Sequence, residues 1–305
     1  MIEPTKRLIE LAETHDVRYT FFIDIGYICR LEEYLEKESQ LRRDYAAVCD
    51  QLTTLVRKGH DLQLHIHPHW ERSTFENGQW TCTTKDTYRL NDFTDDEIAA
   101  IFKKYKAKLD GFRLSPCHAF RAGGWCIQPF NLLKPFFEEH QITIDSSVFS
   151  GGYFHSGNYY FDFRNAPLKS SYTFENDVCQ EEENGKFTEV PIASYRYSPL
   201  FYWKLYVLGR LFPNEHKMIG DGKFMDQPGR KRSVLTRWTW NHVSTDGYYT
   251  SLLPKIFKYY KQRKWSSLVV IGHPKSMTNY SFRKLQQFLE DQGKKYVFRS
   301  FNDLP

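Results

Sequence analysis

Gly59-His-Asp-Leu-Gln-Leu-His65-Ile-His67-Pro-His69-Trp70 is the stretch on which the fold turns. Asp61 to Ile66 reads as a short buried strand that runs straight into three histidines at a spacing of two. Alternate residues of a strand share a face, so His65 and His67 point the same way, while Pro68 ends the strand and lets His69 turn back. Three imidazoles then converge on one small volume. Neutral imidazole ligates zinc and other borderline metals, which makes His65, His67 and His69 candidate ligands of one divalent ion, zinc first among them. The alternative is a set of hydrogen-bonded histidines at a strand end.

Outward from this strand, apolar segments alternate between helical and strand character. Residues 4–15 read as a helix and Val17 to Asp24 as a strand; a long helical pattern over 31–58 stops at Gly59. After Ile66 come a helix over 95–110 opened by Thr94-Asp-Asp-Glu97, a helix over 129–140 and a strand from Ile142 to Asp145. The alternation returns near the end, with a Tyr-rich helix over 248–262, a strand Ser267-Leu-Val-Val-Ile271, a helix over 280–291 and a final strand from Tyr296 to Ser300. Such a period predicts an α/β fold with a parallel sheet wrapped by helices, either a barrel or a doubly wound sheet, in a single domain over 1–305. Residues 150–245 are irregular and read as strands, long loops and an insertion.

The chain has 305 residues, a net charge of +5, six scattered cysteines without CxxC spacing, and 17% aromatic residues. No stretch approaches the roughly 20 apolar residues of a membrane span, and the N-terminus lacks the apolar run of a signal peptide. A soluble cytoplasmic protein with reduced thiols is expected. The basic residues are interleaved with acids, which gives no case for a nucleic-acid partner. The aromatic content suits sugar faces or a thick aromatic core.

Several other residues carry candidate chemistry. Arg121, in Ala119-Phe-Arg-Ala-Gly-Gly-Trp125, ends a strand and can orient a carboxylate or pair structurally. His273, in Gly272-His-Pro-Lys275, directly follows a buried strand, where α/β barrels place catalytic groups, and suits a proton donor. Asp24 and Asp145 close strands and would face the same mouth if the sheet is parallel. His242 and Asp246, in His242-Val-Ser-Thr-Asp-Gly247, read equally as a turn or as substrate contacts, and Asp221 in Gly220-Asp-Gly222 as ordinary turn chemistry. Trp70 and Trp125 are candidate stacking walls for a sugar ring or packing residues.

With these motifs the chain resembles the polysaccharide deacetylases of the NodB-homology type, and within them the divergent branch found in bacterial surface-polysaccharide clusters for capsule or lipopolysaccharide. The resemblance runs over nearly the whole chain and implies a distorted (β/α) barrel of metal-dependent amide and ester hydrolases. It implies that His65 and His69 are metal ligands, that Arg121 positions the catalytic aspartate together with Asp145, and that His273 is the acid. That family opens with a strand ending in paired aspartates, one a base and one a ligand, ahead of the helix preceding Thr20-Phe-Phe-Ile23; this chain starts at that helix. The expectation is an upstream start, relocated roles or lost activity, with Asp24 the nearest acid able to serve as base or ligand and His67 able to complete the metal site.

The expected function is removal of an acyl group from an amide or ester of a sugar or polysaccharide precursor. Its alternative is a catalytically silent glycan-binding or scaffolding protein that keeps the barrel and metal. The basic aromatic stretch from Lys204 to Trp238 suggests, in addition, peripheral contact with a membrane surface or an acidic polymer.

Overall fold

A computed structural model of the chain describes residues 1–220 and 230–304, so Asp221 and Gly222 lie outside the described residues. In chain order the elements are α1 (Ile2–His15), β1 (Thr20–Asp24), α2 (Ile25–Glu33), α3 (Ser39–Arg57), β2 (Asp61–Ile66), β3 (Thr74–Glu76), β4 (Gln79–Thr81), α4 (Asp95–Asp110), β5 (Ala119–Ala122), α5 (Lys134–Glu139) and β6 (Ile144–Asp145). They continue with β7 (Tyr153–Ser156), β8 (Tyr159–Asp162), β9 (Tyr172–Phe174), β10 (Phe187–Glu189), β11 (Ser194–Tyr197), α6 (Pro199–Leu211), α7 (Pro213–His216), α8 (Arg230–Thr236), β12 (Thr239–His242), α9 (Leu253–Gln262) and α10 (Asn279–Gln292).

The main sheet has the order β1-β2-β5-β6-β10-β9. Its first five strands pair in parallel and β9 pairs antiparallel with β10. Residues 150–245 are therefore not a separate insertion, because they supply two strands of this sheet. Hydrogen bonding continues past it: Ile192 N donates to Val148 O, Val243 N to Ala193 O, and Ile271 N to Val243 O. The wall thus curves onward through the 243–245 and 269–271 segments, but the strands do not form one closed ladder. Between the 269–271 segment and β1 the gap is filled by side chains, Phe22, Val269, Phe301 and Leu304. The α/β architecture with a parallel sheet is as expected, and among the described residues its ladders form a mixed sheet with a curved continuation.

Local sequence explains most of the elements. In α4, Thr94 caps Glu97 N while Glu97 reaches back to Thr94 N, and Ile98, Ile101, Phe102, Tyr105 and Leu109 form one buried face. Phe102 stacks on Phe120 of β5, which fixes the helix to the outer face of the sheet. The helix expected over 31–58 breaks after Glu33. Leu31 and Leu41 both pack on Phe75, and ten residues along a straight helix would set them about 15 Å apart and about 80° around the axis.

Three other expectations change. The helix over 129–140 reduces to one 3₁₀ turn, Phe130–Leu132, and the short α5. Ser267 to Ile271 forms no regular strand; Ile271 makes an isolated bridge to Ser244, and Val269 O accepts from Ala193 N. Tyr296 to Ser300 makes no ladder; it lies on the surface with Val297 79% exposed and Phe298 turned onto the second core, built from α1, α9 and α10.

The inner face of β1 and β2 is layered by the period-two alternation of their side chains. At the amino end sit Thr20 and Asp61, in the middle Phe22 and Gln63, and at the carboxyl end Asp24 and His65. The amino-end layer is fully bonded. Asp61 accepts from Arg113 Nη1 at 2.8 Å, Thr20 Oγ1 at 3.0 Å and Gln63 Nε2 at 3.0 Å. Arg113 also donates to Asn302 Oδ1, which ties the C-terminal turn to the sheet.

Both Asp61 and Arg113 are buried, so removing one leaves the other charge desolvated and unpaired. Arg113→Leu is expected to cost about 3–5 kcal/mol of stability in urea unfolding. The double variant Asp61→Asn with Arg113→Leu is expected to recover much of that loss.

Candidate functional site

The site grows from strand register. Asp24 is paired with His65, and His65 with Arg121, so residues of three neighbouring parallel strands stand in one row at the carboxyl end of the sheet, with side chains on the same face. His65 Nδ1 donates to the carbonyl oxygen of Arg121 at 2.7 Å, leaving Nε2 as an electron-pair donor. Trp70 Nε1 donates to Asp24 Oδ2 at 2.8 Å. Pro68 starts a 3₁₀ turn, Pro68–Arg72, that carries His69 and Trp70 back over the row. The His65 and His67 rings lie 4.7 Å apart and the His67 and His69 rings 5.4 Å apart, so the expected convergence of the three is observed.

Close approach of β5 to this cluster depends on a missing side chain. A Cβ on Gly123 would sit 2.5 Å from Ile66 O and 2.7 Å from His67 Nδ1. No other residue type fits there without displacing the histidine.

The electrostatics of the cluster are those of buried groups. Burial, then the neighbouring His67, pushes the His65 imidazole down to about 3, and burial with His69 nearby pushes His67 down to about 3. His69 is lowered by burial. All three rings are therefore neutral at physiological pH and able to act as donors. Burial raises Asp24 against the opposing pull of His65 and His69. Several atoms have no hydrogen-bond partner: Asp24 Oδ1, His67 Nδ1 and His69 Nδ1, all buried.

This donor set suits a borderline divalent cation: one carboxylate oxygen and neutral imidazole nitrogens, with His65 held by the carbonyl bond that metal-bound histidines commonly make. Among the described residues no three His, Cys, Asp or Glu side chains surround a single ion-sized point.

Facing this cluster is a second unit. His273 receives two bonds from Asp246: its backbone N donates to Oδ1 at 2.7 Å, and its Nδ1 to Oδ2 at 2.8 Å. Burial opposes ionisation of Asp246, but His273 outweighs it and holds the carboxyl below the usual range. Asp246 thus positions His273 and is not an open substrate contact. His242 is buried against Trp125, with ring centroids 4.9 Å apart, and is pushed down to about 3 by burial and then by His273. Trp125 also packs on Phe149 and Phe161 and lies at 6.5 Å from the His273 ring, so it is largely a packing residue at the edge of the site.

Two expected residues are displaced from their anticipated roles. Arg121 donates to Ser146 O at 2.7 Å and Ser146 Oγ at 2.9 Å and lies 4.0 Å over the Phe22 ring, so its side chain does not reach Asp24. Its contribution to the row is its backbone carbonyl. Asp145 is paired in register with Phe120, one residue out of phase with Arg121, and its side chain therefore emerges on the other face. It is fully buried, bonded to Ser147, and beside Glu189 of β10.

Sequence reading missed Glu189 and Lys275. Lys275 is lowered by burial against the attraction of Asp24 and Asp246. Glu189 is an acid within the apolar run Phe187-Thr-Glu-Val-Pro-Ile192, and a charged residue in such a run signals a buried partner.

No protein-family model and no curated protein matches the chain. Among solved structures it is similar to a protein from Mycobacterium smegmatis described as a "putative polysaccharide deacetylase", at 14% identity and a TM-score of 0.48, covering 96% of this chain and 71% of that one. It is also similar to a GH57 branching enzyme from the hyperthermophilic archaeon Thermococcus kodakaraensis, at 9% identity and a TM-score of 0.46, covering 98% of this chain and 63% of that one. At such identities and scores neither protein's activity carries over.

The Asp145–Glu189 pair makes stability depend on pH. Burial and the adjacent Asp145 raise Glu189 well above the usual glutamate range. The unfolded chain ionises from about pH 4 upward while the folded chain retains the proton, so this pair lowers stability as pH rises. Urea unfolding at pH 5 and pH 8 is expected to show a smaller loss with rising pH in Glu189→Gln than in the wild type.

Proposed function

We propose that the protein is a metal-dependent hydrolase that removes an acyl group from an amide or ester of a sugar. The observation that carries this reading is the buried Asp24 carboxylate, whose Oδ1 has no partner, set among neutral imidazoles whose nitrogens also lack partners. An ionised carboxylate in that position costs several kcal/mol unless a cation meets it. Asp24, His65, His67 and His69 would hold a divalent ion, zinc first, which when bound supplies a Lewis acid for an acyl carbonyl and acidifies a water molecule.

The chain's own groups supply the rest. Trp70 Nε1 fixes Oδ2 of Asp24 and leaves Oδ1 available to the ion or to a water proton. Arg121, through its carbonyl, keeps His65 in the tautomer that donates through Nε2. Asp246 holds His273 by Nδ1, so that Nε2 is left to pass a proton to the departing amine or alkoxide. Lys275 adds positive charge near Asp24, where negative charge develops on the acyl oxygen. Trp70, beside His69 and bonded to Asp24, offers aromatic surface for a sugar ring, with Trp125 at the His273 edge of the site. The metal, the acyl sugar and these roles form a single reading.

Metal analysis of protein purified with zinc supplied is the direct test. The wild type is expected to retain about one equivalent, as three or four protein ligands would hold it, and Asp24→Asn and His65→Ala are expected to lose it with their fold intact by circular dichroism. A wild type that stays metal-free overturns the reading.

Hydrolysis of an acetylated amino-sugar oligomer by zinc-loaded protein tests the second unit. His273→Ala is expected to lower kcat by about 10²–10⁴-fold with little change in zinc content. Asp246→Asn is expected to lower kcat and displace the alkaline or acid limb of the pH profile, since it alters the group that holds His273.

A further inference from the structure

Helix α6 has two apolar faces, and the fold uses only one. Phe201 and Tyr202 are buried against Tyr197 and Tyr249. On the opposite side Leu200, Trp203, Val207 and Leu211 are 63%, 53%, 43% and 65% exposed. Their spacing of three, four and four residues puts them in one stripe along a helix about 20 Å long. Phe212 and Met218 prolong the stripe, and Trp238 follows α8, which packs on α6 through a bond from Trp203 Nε1 to Leu235 O. Eight of the sixteen exposed large apolar side chains among the described residues fall within residues 200–240. Such concentration marks an interaction surface, whereas single exposed residues elsewhere need no explanation.

The charge around the stripe selects the partner. Lys204, Arg210, Lys217, Lys231, Arg232 and Arg237 are exposed in the same region. The one acid among its described residues, Glu215, is bound by Arg283. A second copy of the chain docked face to face would oppose two basic rims, which disfavours a symmetric dimer. An anionic lipid surface complements both features. Tryptophans sit at the headgroup level, leucines enter the acyl boundary, and lysine and arginine stems extend toward lipid phosphates. Among the described residues no helix is long and apolar enough to cross a membrane, so contact of this kind is made in the plane of the interface.

The stripe also runs into the site. Met218 bridges Thr278, Ile219 N donates to Met277 O at 2.9 Å, and Gly220 approaches so closely that a Cβ there would lie 2.4 Å from Lys275 Cα. The surface therefore adjoins the segment that follows His273.

We propose that α6 and the turn after it dock the protein on an anionic lipid bilayer, the apolar stripe entering the headgroup boundary and the basic rim meeting lipid phosphates. Sedimentation of the full chain with phosphatidylcholine vesicles, with and without phosphatidylglycerol, tests this. Binding is expected only to the anionic vesicles and is expected to weaken about tenfold or more from low to high salt. Lys204→Gln with Arg210→Gln is expected to weaken it about tenfold or more as well. Leu200→Ser with Leu211→Ser is expected to abolish it while leaving the thermal melting temperature unchanged. No binding to anionic vesicles at low salt overturns the proposal. So does binding unaltered by the leucine substitutions, or a dimer in analytical ultracentrifugation that those substitutions dissolve in a protein that ignores vesicles.

Discussion

Parallel pairing of β1, β2 and β5 sets Asp24, His65 and Arg121 side by side at one height, and this register decides what each can do. Asp24 meets imidazole on one side and the Trp70 indole on another. His65 is oriented by a backbone carbonyl, a group that neither titrates nor rotates. A carboxylate so placed is desolvated, and its neighbours, neutral because they are buried too, do not repay that cost by charge. The proposed cation would offset that cost, with Lys275, His65 and His69 as partial contributors.

Much of this was legible in the sequence where the signal is local. The strand of residues 61–66, its end at Pro68 and the capped helix from Thr94 depend on residues near one another in the chain, and they appear as read. The convergence of His65, His67 and His69 follows from strand geometry and a proline. What could not be read depends on register between distant segments. Asp145 sits one residue out of phase with Arg121, a difference of one position that turns a presumed active-site acid into a buried neighbour of Glu189. The pairing of Asp246 with His273 joins residues 27 apart through a bend that no periodicity reveals. Closure of the wall depends on distant segments too. The apolar run of residues 267–271 has strand composition, yet it is held by one bridge and single hydrogen bonds, with Phe301 and Leu304 packed beside Val269.

The aromatic richness divides along similar lines. Sugar faces and core were both open readings, and most rings go to cores: Phe102, Phe120, Phe130 and Phe137 interlock beneath β5, and Tyr197, Phe201 and Tyr249 interlock beneath α6. The rings left at surfaces fall into two groups with different neighbours. Trp70 touches the acid of the site, whereas Trp203 and Trp238 stand among lysines and arginines. A ring bonded to a carboxylate and a ring exposed amid cations stand in different chemical surroundings, so the aromatic excess has no single cause.

The two ends of the sheet supply a comparison internal to the molecule. At the amino end, Asp61 is buried, more so than the half-buried Asp24, and its carboxylate is occupied by Arg113, Thr20 and Gln63. At the carboxyl end, the same two strands leave Asp24 Oδ1 and two imidazole nitrogens without partners. The amino end also has unpartnered buried atoms, Tyr19 Oη and His60 Nε2, but there they belong to uncharged groups, whereas at the carboxyl end one is a carboxylate oxygen, and Gly123 is pressed against His67 beside it. A fold able to satisfy a buried aspartate completely, about 13 Å along the same strands at the usual rise of about 3.3 Å per residue, leaves the second one open where three histidines meet. It is this contrast between the two carboxylates that supports the proposed cation site.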